Sequence, residues 1–351
     1  MLSLSGMHHA HYDALVVISF GGPEAPDDVM PFLENVTRGR AVPRARLLEV
    51  AEHYHHFGGV SPINAQNRAL VEALRAELAA HGPALPVYWG NRNWRPLLAD
   101  TLGQMAADGV GRALAFVTSA FASYSSCRQY LEDIARARAE VGVRAPVVDK
   151  LRLFWNHPGF IEPMAERVEA ALAALPAPAR ADAHVAFTAH SVPLAMAQTS
   201  AYERQLGAAC GLVAERLSSP HAWRLVYQSR SGPPGVPWLG PDILEHVAAI
   251  KAAGVADVVV APIGFVSDHL EVRWDLDVEA AARARELGLG FMRAQTVGVH
   301  PRFVGMIREL ILERTADAPR RALGAEGPAP DDCAPGCCPA PSARPAPTRE
   351  A

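Results

Sequence analysis

The chain has 351 residues, of which 50% are hydrophobic, and its formal net charge at pH 7 is -4. That length and apolar content suffice for two domains of ordinary size, each with its own buried core. The slightly acidic balance excludes the basic surface by which proteins bind nucleic acid, so we expect no nucleic-acid partner.

The sequence carries neither a secretion signal nor a membrane segment. Residues 1–11 lack a basic stretch followed by an apolar one, and no apolar run reaches transmembrane length. We therefore expect a cytoplasmic protein whose N-terminal histidines belong to a flexible end. In that compartment the five cysteines are not expected to form structural disulfides.

Short β-branched segments alternate with longer amphipathic segments along the first half of the chain. Predicted strands cover 12–20, 86–89, 113–118 and 147–154, and predicted helices cover 67–80, 95–108 and 126–140. Alternation of this kind is typical of a parallel sheet whose strands are joined by helical crossovers.

The second half repeats this plan and indicates an internal duplication. Predicted strands cover 183–188, 223–227, 255–261 and 290–293, and predicted helices cover 160–174, 200–217, 241–253, 278–287 and 301–315. We expect an α/β fold with two similar domains, each built on a four-stranded parallel sheet flanked by helices.

The chain divides into four predicted segments. They are a flexible N-terminus (1–11), a first α/β domain (12–155), a second α/β domain (156–316) and a Pro/Ala-rich tail (317–351). The tail has too little apolar surface to fold alone, and only its cluster of cysteines gives it a reason to become ordered.

Small and polar residues follow most of the predicted strands, where open α/β sheets bind their ligands. His190 follows the strand 183–188, while His269 and Glu271 follow the strand 255–261. In a duplicated unit these two strands are neighbours, so His190 and Glu271 are expected to meet across one cleft. An imidazole and a carboxylate suit a divalent ion such as iron(II) or zinc, and they suit proton abstraction equally well.

These residues also have structural interpretations that involve neither catalysis nor metal binding. On its own motif, His190 could equally cap a loop by hydrogen bonding. Asp275 and Asp277 are expected to complement the N-terminus of the following helix rather than to act as further acids. The histidines at 53, 55 and 56 are expected to form a polar rim rather than a metal cluster.

The cleft is expected to hold a broad, flat and partly aromatic ligand. Segments 124–130 and 228–241 supply aromatic and small residues with stacking capacity. The glycines after Phe20 lack the spacing of a nucleotide-binding loop, but they allow a flat ligand to approach the backbone closely.

Several motifs, in this order along the chain, closely resemble those of the ferrochelatases, and the resemblance runs from about residue 12 to 315. They are Ser-Phe-Gly-Gly-Pro (19–23), Gly-Gly-Val-Ser-Pro-Ile-Asn (58–64), Thr-Ala-His-Ser-Val-Pro (188–193), Pro-Trp-Leu-Gly-Pro (237–241) and Ser-Asp-His-Leu-Glu-Val (267–272). Within the family the chain looks most like actinobacterial enzymes that act on coproporphyrin III in heme biosynthesis. The resemblance implies two Rossmann-like domains of the chelatase type around a porphyrin cleft.

The same resemblance implies the insertion of ferrous iron into coproporphyrin III to form coproheme. His190 and Glu271 match the histidine and glutamate of the family's metal site. Phe20 stands where related Gram-positive enzymes carry a tyrosine, and a phenyl ring cannot ligate iron. Contacts to the porphyrin are implied for Phe20, Tyr54, Ser61, Tyr130 and Trp238.

Metal insertion displaces two pyrrole protons, so a base must stand at one face of the ring. We assign His190 as proton acceptor and metal contact, and Glu271 as its charge partner. His269 becomes a supporting residue whose substitution should cost less activity than substitution of either of the other two.

The cysteines gain an expected role from the resemblance. Some ferrochelatases bind a [2Fe–2S] cluster through one internal cysteine and three near the C-terminus, which matches Cys127, Cys333, Cys337 and Cys338. Zinc is the alternative metal, because tetrahedral thiolate sites accept it. Cys210 lies in an amphipathic stretch and is expected to be a core residue.

Three alternatives stay open from sequence. They are a protoporphyrin IX ferrochelatase, a cobalt or siroheme chelatase, and a non-catalytic heme- or iron-binding protein with a redox-sensing cluster. The segment 38–57 is rich in Arg, Glu and His rather than apolar, which favours the more carboxylated coproporphyrin. The expected partners are coproporphyrin III, Fe²⁺ and a downstream enzyme that handles coproheme, and the expected state is a monomer.

Overall fold

A computed structural model describes residues 11–232 and 235–340. Eight strands form within these ranges: β1 (Ala14–Ser19), β2 (Val87–Asn91), β3 (Arg112–Val117), β4 (Val147–Lys150), β5 (His184–His190), β6 (Trp223–Gln228), β7 (Asp257–Ala261) and β8 (Gly290–Arg293). They build two four-stranded sheets, ordered β2-β1-β3-β4 and β6-β5-β7-β8. All pairings are parallel. The predicted fold class and the eight predicted strands are confirmed.

Thirteen α-helices connect and cover the sheets in the described part of the chain. They are α1 (Val29–Val36), α2 (Arg44–His56), α3 (Ile63–His81), α4 (Leu98–Ala107), α5 (Gln129–Val141), α6 (Pro158–Ala174), α7 (Ala177–Arg180), α8 (Leu194–Gln198), α9 (Tyr202–Ala214), α10 (Ile243–Ala252), α11 (Leu270–Val272), α12 (Ala281–Glu286) and α13 (Pro301–Thr315). Two π-helical segments, Tyr124–Arg128 and Arg273–Ala280, precede α5 and α12. None of the helices in the described ranges is long and apolar enough to cross a membrane.

The register of the second sheet sets the geometry of the site. β5 pairs with β7 from His184–Val258 to Phe187–Ala261, and with β6 as far as His190–Gln228. The prediction that β5 and β7 are neighbours in the sheet is therefore confirmed. Because the strands are parallel, the residues that follow all three lie at one edge of the sheet.

A helical cover formed by α1 and α2 was not predicted. Tyr54 and other buried side chains of α2 pack with Phe32 of α1 and with Leu270, which belongs to α11 in the second half of the chain. Most of α2 is polar and exposed, and its few apolar residues give only a narrow stripe. The cover therefore depends on contacts distant in sequence that no local pattern reveals.

The last helix joins the two halves of the molecule. α13 packs against α3 and α6, and its apolar residues belong to the same core cluster as those of both sheets. The guanidinium of Arg308 donates to the carbonyls of His81 (Nη2, 2.7 Å) and Gly82 (Nε, 2.6 Å) at the end of α3.

The described part of the tail is held by more than its cysteines. The backbone carbonyl of Asn156 accepts from the backbone N–H of Leu323 (2.8 Å), and the side-chain amide of Asn156 donates to the carbonyl of Gly327 (2.8 Å). Arg152 donates to the carbonyl of Arg321 (2.9 Å). The expectation that only the cysteines order this segment was therefore incomplete, because polar groups at the end of the first half also bind its backbone.

The boundaries of the four predicted segments stay predictions. Residues 1–10 of the N-terminal segment, residues 341–351 of the tail and the loop positions 233–234 lie outside the described residues.

Candidate functional site

His190 and Glu271 meet at the carboxyl edge of the second sheet. His190 is the last residue of β5, and Glu271 lies in α11, a single turn in the segment that follows β7. His190 Nε2 lies 3.5 Å from Glu271 Oε2, with 34% and 50% of the two side chains exposed. The pair is thus close enough to share a proton or an ion and open enough to receive one.

One backbone carbonyl selects the tautomer of His190. Nδ1 lies 2.5 Å from the carbonyl oxygen of Ser191, which can only accept, so Nδ1 carries the proton in the neutral ring. Ser191 is itself fixed, since its N–H donates to the Gln228 carbonyl (2.8 Å) and its hydroxyl to that of Leu239 (2.8 Å). The lone pair of Nε2 therefore faces the carboxylate of Glu271.

His269 supports this pair from behind. Its Nδ1 accepts from the backbone N–H of Glu271 at 3.2 Å and so caps α11. Burial lowers the pKa of His269 and favours the neutral ring that this capping bond needs. The ring also stands edge-on to Phe265, at 4.9 Å between centroids. His269 thus orients the backbone that carries Glu271.

A line of acids extends from Glu271 along the π-helical segment. Asp275 accepts from Gln228 Nε2 (3.2 Å) and from the hydroxyl of Ser229, whose φ of 61° is unusual for a non-glycine residue. Burial raises the pKa of Asp275 to about 7, and the charges of Glu271 and Glu279 act in the same direction. A group of this kind can hold or release a proton near neutral pH.

The sequence interpretation covered these acids only in part. Asp275 lies in the first turn of the π-helical segment, as expected of a residue that complements a helix N-terminus, but it also accepts a hydrogen bond from Gln228 at the end of β6. Asp277 pairs with Arg273 and Arg293 instead. Gln228 was expected only as part of the cleft lining. Glu279 was missed, although acids at 271, 275 and 279 recur every four residues, a spacing that brings side chains together on a helix.

The cover of α1 and α2 closes over this edge. Tyr54 of α2 is buried edge-on against Phe32, with ring centroids 5.8 Å apart. Burial and, after it, the charge of Glu271 raise the pKa of Tyr54, so its hydroxyl stays protonated. The backbone N–H of Asp268 donates to Gln66 Oε1 of α3 at 2.8 Å. The two halves of the chain thus face each other across the His190–Glu271 pair.

The histidines of α2 lie at this junction. His53 stacks on Trp274 at 4.0 Å between centroids, and His56 meets the same indole edge-on at 5.4 Å. Burial lowers the pKa of His53. Within residues 11–232 and 235–340, no three or more His, Cys, Asp or Glu side chains are grouped so that they could hold one metal ion.

The five predicted porphyrin contacts occupy different environments. Phe20, directly after β1, is 38% exposed. Ser61 is buried, and its backbone N–H donates to the carbonyl of Pro23 (2.9 Å). Trp238 is half-buried and pairs in a short bridge with Pro193, close after His190. Phe20 and Trp238 thus present partly open rings from opposite halves of the chain, and Tyr54 lies in the cover.

Tyr130 is also enclosed, at a distance from the other four. It is buried in α5 against the first sheet, beneath the guanidinium of Arg92, which lies 4.7 Å from its ring centroid. Arg92 in turn pairs with Asp133 (2.9 Å) and lies 5.7 Å from the ring of Phe20. Any effect of Tyr130 on a ligand near Phe20 would therefore pass through Arg92.

Four cysteines converge on the other side of the first sheet, and we call them the cysteine cluster: Cys127, Cys333, Cys337 and Cys338. The sulfur atoms of Cys337 and Cys338 are 3.5 Å apart. A hydrogen bond between the Cys127 and Cys333 thiols lowers the pKa of Cys333 and raises that of Cys127, and the charge of buried Lys150 favours both thiolates. All five cysteines are free thiols, and Cys210 is fully buried in α9.

Comparison with known proteins gives consistent results over most of the chain. The sequence profile of the family described as ferrochelatase matches residues 12–315. A coproporphyrin III ferrochelatase of Streptomyces coelicolor is 55% identical, with 95% of each chain covered. One of Frankia alni is 58% identical over 93% of this chain and 86% of its own, and a ferrochelatase of Rhodopirellula baltica is 56% identical over 93% of each chain.

Solved structures agree at the level of the fold. SirB from Bacillus subtilis with Fe³⁺ superposes with a TM-score of 0.54 at 10% sequence identity, covering 88% of this chain and 97% of its own. At that identity the likeness concerns the arrangement of the two sheets and their helices, not the chemistry of the cleft.

Proposed function

The chain belongs to the ferrochelatase family, a family of metal chelatases, and on that premise we propose that it inserts ferrous iron into coproporphyrin III to give coproheme. The observation that carries the proposal is the His190–Glu271 pair, with the Nε2 lone pair 3.5 Å from a carboxylate oxygen at the open edge of the cleft. The names of relatives that align over nearly the whole chain support the substrate.

In the proposed reaction Fe²⁺ replaces two pyrrole protons, so one metal porphyrin and two protons are formed. His190 Nε2 accepts a pyrrole proton, because its own proton is held on Nδ1 by the Ser191 carbonyl. Glu271 stabilises the imidazolium that results and shares the incoming ion with His190 before insertion. Asp275, with a pKa of about 7, takes the two protons one after the other from this pair and releases each to water, so that His190 is neutral again for the second one.

The polar cover supports a porphyrin with many carboxylates. α2 exposes Arg44 and Arg46, which pair with Glu34 and Glu49, together with other polar residues, whereas an apolar lip would suit the less charged protoporphyrin. We place the ring between the first-half residues Phe20, Tyr54 and Ser61 and the second-half residue Trp238, with Tyr130 acting through Arg92.

The test is anaerobic insertion of Fe²⁺ into coproporphyrin III, followed by the change in the visible spectrum. We expect His190→Ala and Glu271→Gln to lower the turnover number by at least about 100-fold, while the exposed-histidine control His55→Ala stays near wild type. Protoporphyrin IX in the same assay tests the ring specificity. Absence of turnover by the wild-type protein with either porphyrin would favour a non-catalytic heme- or iron-binding protein.

For the cysteine cluster we infer a [2Fe–2S] group. Such a group takes four thiolates spread over two irons, so the paired arrangement of these cysteines fits it without three ligands around one ion. Stabilisation of the Cys333 thiolate by Cys127 and Lys150 fits the same donor set. When bound, the group would cross-link the tail to the loop after β3 through metal–sulfur bonds.

The colour and the metal content of the purified protein distinguish an iron–sulfur cluster from a zinc site. We expect brown protein with about two irons and two sulfides per chain, and loss of this absorbance in Cys127→Ser but not in the core control Cys210→Ser. Colourless protein with stoichiometric zinc would contradict the iron–sulfur assignment.

Three further inferences accompany the proposed activity. They are a cytoplasmic location, a monomeric state and a downstream enzyme that takes over coproheme.

A further inference from the structure

Helix α9 contacts the backbone of His190 directly. The hydroxyl of Tyr202, the first residue of α9, donates to the carbonyl oxygen of His190 at 3.0 Å. Tyr202 is buried, and its hydroxyl donates because a carbonyl oxygen can only accept.

This bond replaces a missing strand contact. The paired register of β5 and β7 ends at Phe187–Ala261, and the last contact on that side is the N–H of Gly264 donating to the Thr188 carbonyl at 3.0 Å. Carbonyls on a strand alternate sides, so that of His190 is the next to face the β7 side. Tyr202 therefore supplies the donor that β7 no longer provides.

The same helix holds the loop that carries Cys127. Gln205 Oε1 accepts from the backbone N–H of Ala122 at 2.8 Å, and the ring of Phe121 meets that of Tyr202 edge-on at 6.4 Å. Phe121 and Ala122 lead into the turn in which the N–H of Cys127 donates to the Ser123 carbonyl at 3.0 Å.

The tail that carries the other three cysteines docks on α9 as well. Arg204 forms an ion pair with Glu326. Gly324 in the tail lies beside Leu212 of α9: a β-carbon on Gly324 would be 3.7 and 3.9 Å from the two methyl carbons of Leu212, which is van der Waals distance. Both parts of the chain that build the cysteine cluster are thus attached to the helix that holds His190.

We propose that Tyr202 is a positioning residue for His190 and that α9 links the cysteine cluster to the histidine. The proposal rests on the proposed role of His190 in iron insertion. The Nε2–Glu271 geometry depends on the main chain at residues 190 and 191, because the carbonyl of Ser191 fixes the ring. Displacement of the cysteine cluster moves α9, and the hydroxyl of Tyr202 transmits that movement to the His190 carbonyl.

The first experiment compares Tyr202→Phe with Tyr227→Phe. Tyr227 is also buried and lies on β6 beside Ala189, but its hydroxyl has no hydrogen-bond partner within the described ranges. We expect Tyr202→Phe to lower kcat about fivefold to tenfold with the KM for the porphyrin unchanged, and Tyr227→Phe to leave kcat unchanged. Equal effects of the two variants, or a loss in KM alone, would overturn the positioning role.

The second experiment tests the link with a double-mutant cycle. Cys127→Ser is expected to lower kcat in the wild-type background and to have no further effect in Tyr202→Phe. Gln205→Ala, which cuts the contact to Ala122 without altering a cysteine, serves if Cys127→Ser fails to fold. Effects that multiply independently would refute the link. Full activity of His190→Ala would instead remove the proposed role of His190, whatever the cycle gives.

Discussion

At the scale of single residues, the chemistry of the site depends on where two histidine protons lie. The Ser191 carbonyl holds the proton of His190 on Nδ1, and the N–H of Glu271 requires Nδ1 of His269 to be free of one. Two imidazoles of opposite tautomer therefore flank Glu271, one facing it with a lone pair and the other holding its backbone.

The capping role of His269 predicts how its substitutions differ. Asparagine also accepts a hydrogen bond at a helix N-cap, so His269→Asn should retain most of the activity, whereas His269→Ala should lose about fivefold to tenfold. Both losses should be smaller than that of Glu271→Gln. Rates of iron insertion measure this, and equal losses for the Asn and Ala variants would mean that His269 does more than cap α11.

Another capping histidine, His157, makes the stability of the protein depend on pH. His157 caps α6 by accepting from the N–H of Gly159 at 3.0 Å, and its side chain is fully buried. Burial, with the charges of Arg152 and Arg321, lowers the pKa of His157 from 6.5 to about 3. Between these two values the unfolded chain binds the proton and the folded chain does not, so stability falls as the pH falls.

We expect this histidine alone to lower the free energy of unfolding by about 2 kcal/mol between pH 7 and pH 5. His157→Asn keeps an acceptor for the N–H of Gly159 and should make that pH dependence shallower. The exposed-residue control His55→Asn should leave it unchanged. Unfolding in denaturant at pH 7 and pH 5 measures the change in the free energy of unfolding. The same change in His157→Asn and in the wild type would contradict the role assigned to His157.

At the scale of elements, the loop between α2 and α3 is shaped by two glycines with different surroundings. Gly58 and Gly59 have φ of 72° and 76°. A β-carbon on Gly59 would lie 2.4 Å from Cα of Pro26, whereas one on Gly58 would meet nothing within 4 Å. The loop at Gly59 thus presses against the segment after Phe20, where Ser61 also binds Pro23.

These glycines form a matched pair for mutation. Gly58→Ala should cost about 1 kcal/mol for the left-handed backbone alone. Gly59→Ala should cost about 1–3 kcal/mol more, because the segment holding Pro26 must move. It should also raise the KM for the porphyrin, since Phe20 and Ser61 border that segment. Similar free energies of unfolding for the two variants would show that the loop can move away from Pro26 at little cost.

The predictability of these elements follows their physical origin. The central strands β1, β3, β5 and β7 are almost fully buried apolar runs, which local sequence reveals. β5 and β7 brought His190 and Glu271 together as expected. α2 was missed because its partner Leu270 lies more than two hundred residues away. β4 stops at Lys150 instead of continuing to residue 154, because the apolar residues after it are buried outside the ladder.

The residues of the candidate site also differ in how far the sequence alone predicts them. His190 and Glu271 stand at strand ends and belong to recognisable motifs. Burial raises the pKa of Asp275, while the hydrogen bonds from Ser229 and Gln228 at the end of β6 act against it, and no pattern around residue 275 indicates these contacts. The convergence of Cys127 with the tail likewise required the resemblance to a family, because spacing alone does not show which cysteines meet.

At the scale of the whole molecule, one buried ion pair joins the first half, the last helix and the tail. Arg152 donates to both carboxylate oxygens of Glu313 in α13, at 2.6 and 2.8 Å, and also to the carbonyl of Arg321. Only 1% and 2% of the two side chains are exposed. Loss of Glu313 would leave the buried guanidinium of Arg152 without its counter-ion, and loss of Arg152 would leave the buried carboxylate with only the longer contact to Arg320, at 3.7 Å.

Arg152→Met should therefore lower the free energy of unfolding by about 3–5 kcal/mol. The double variant Arg152→Met/Glu313→Leu should recover a large part of that loss, because it removes both charges. The exposed pair Arg75–Glu72, broken by Glu72→Gln, should cost at most about 1 kcal/mol. Unfolding in denaturant measures all three, and additive losses in the double variant would exclude a direct pair.

The packing of α13 on α3 has a consequence for the chain while it is being made. The first sheet is complete in sequence at Lys150, but α3 remains without α13 until residues 301–315 have been synthesised. At ordinary rates of translation that interval lasts on the order of ten seconds. During it the nascent chain exposes apolar surface of α3, so chaperone binding and aggregation compete for the unfinished protein before α13 emerges from the ribosome.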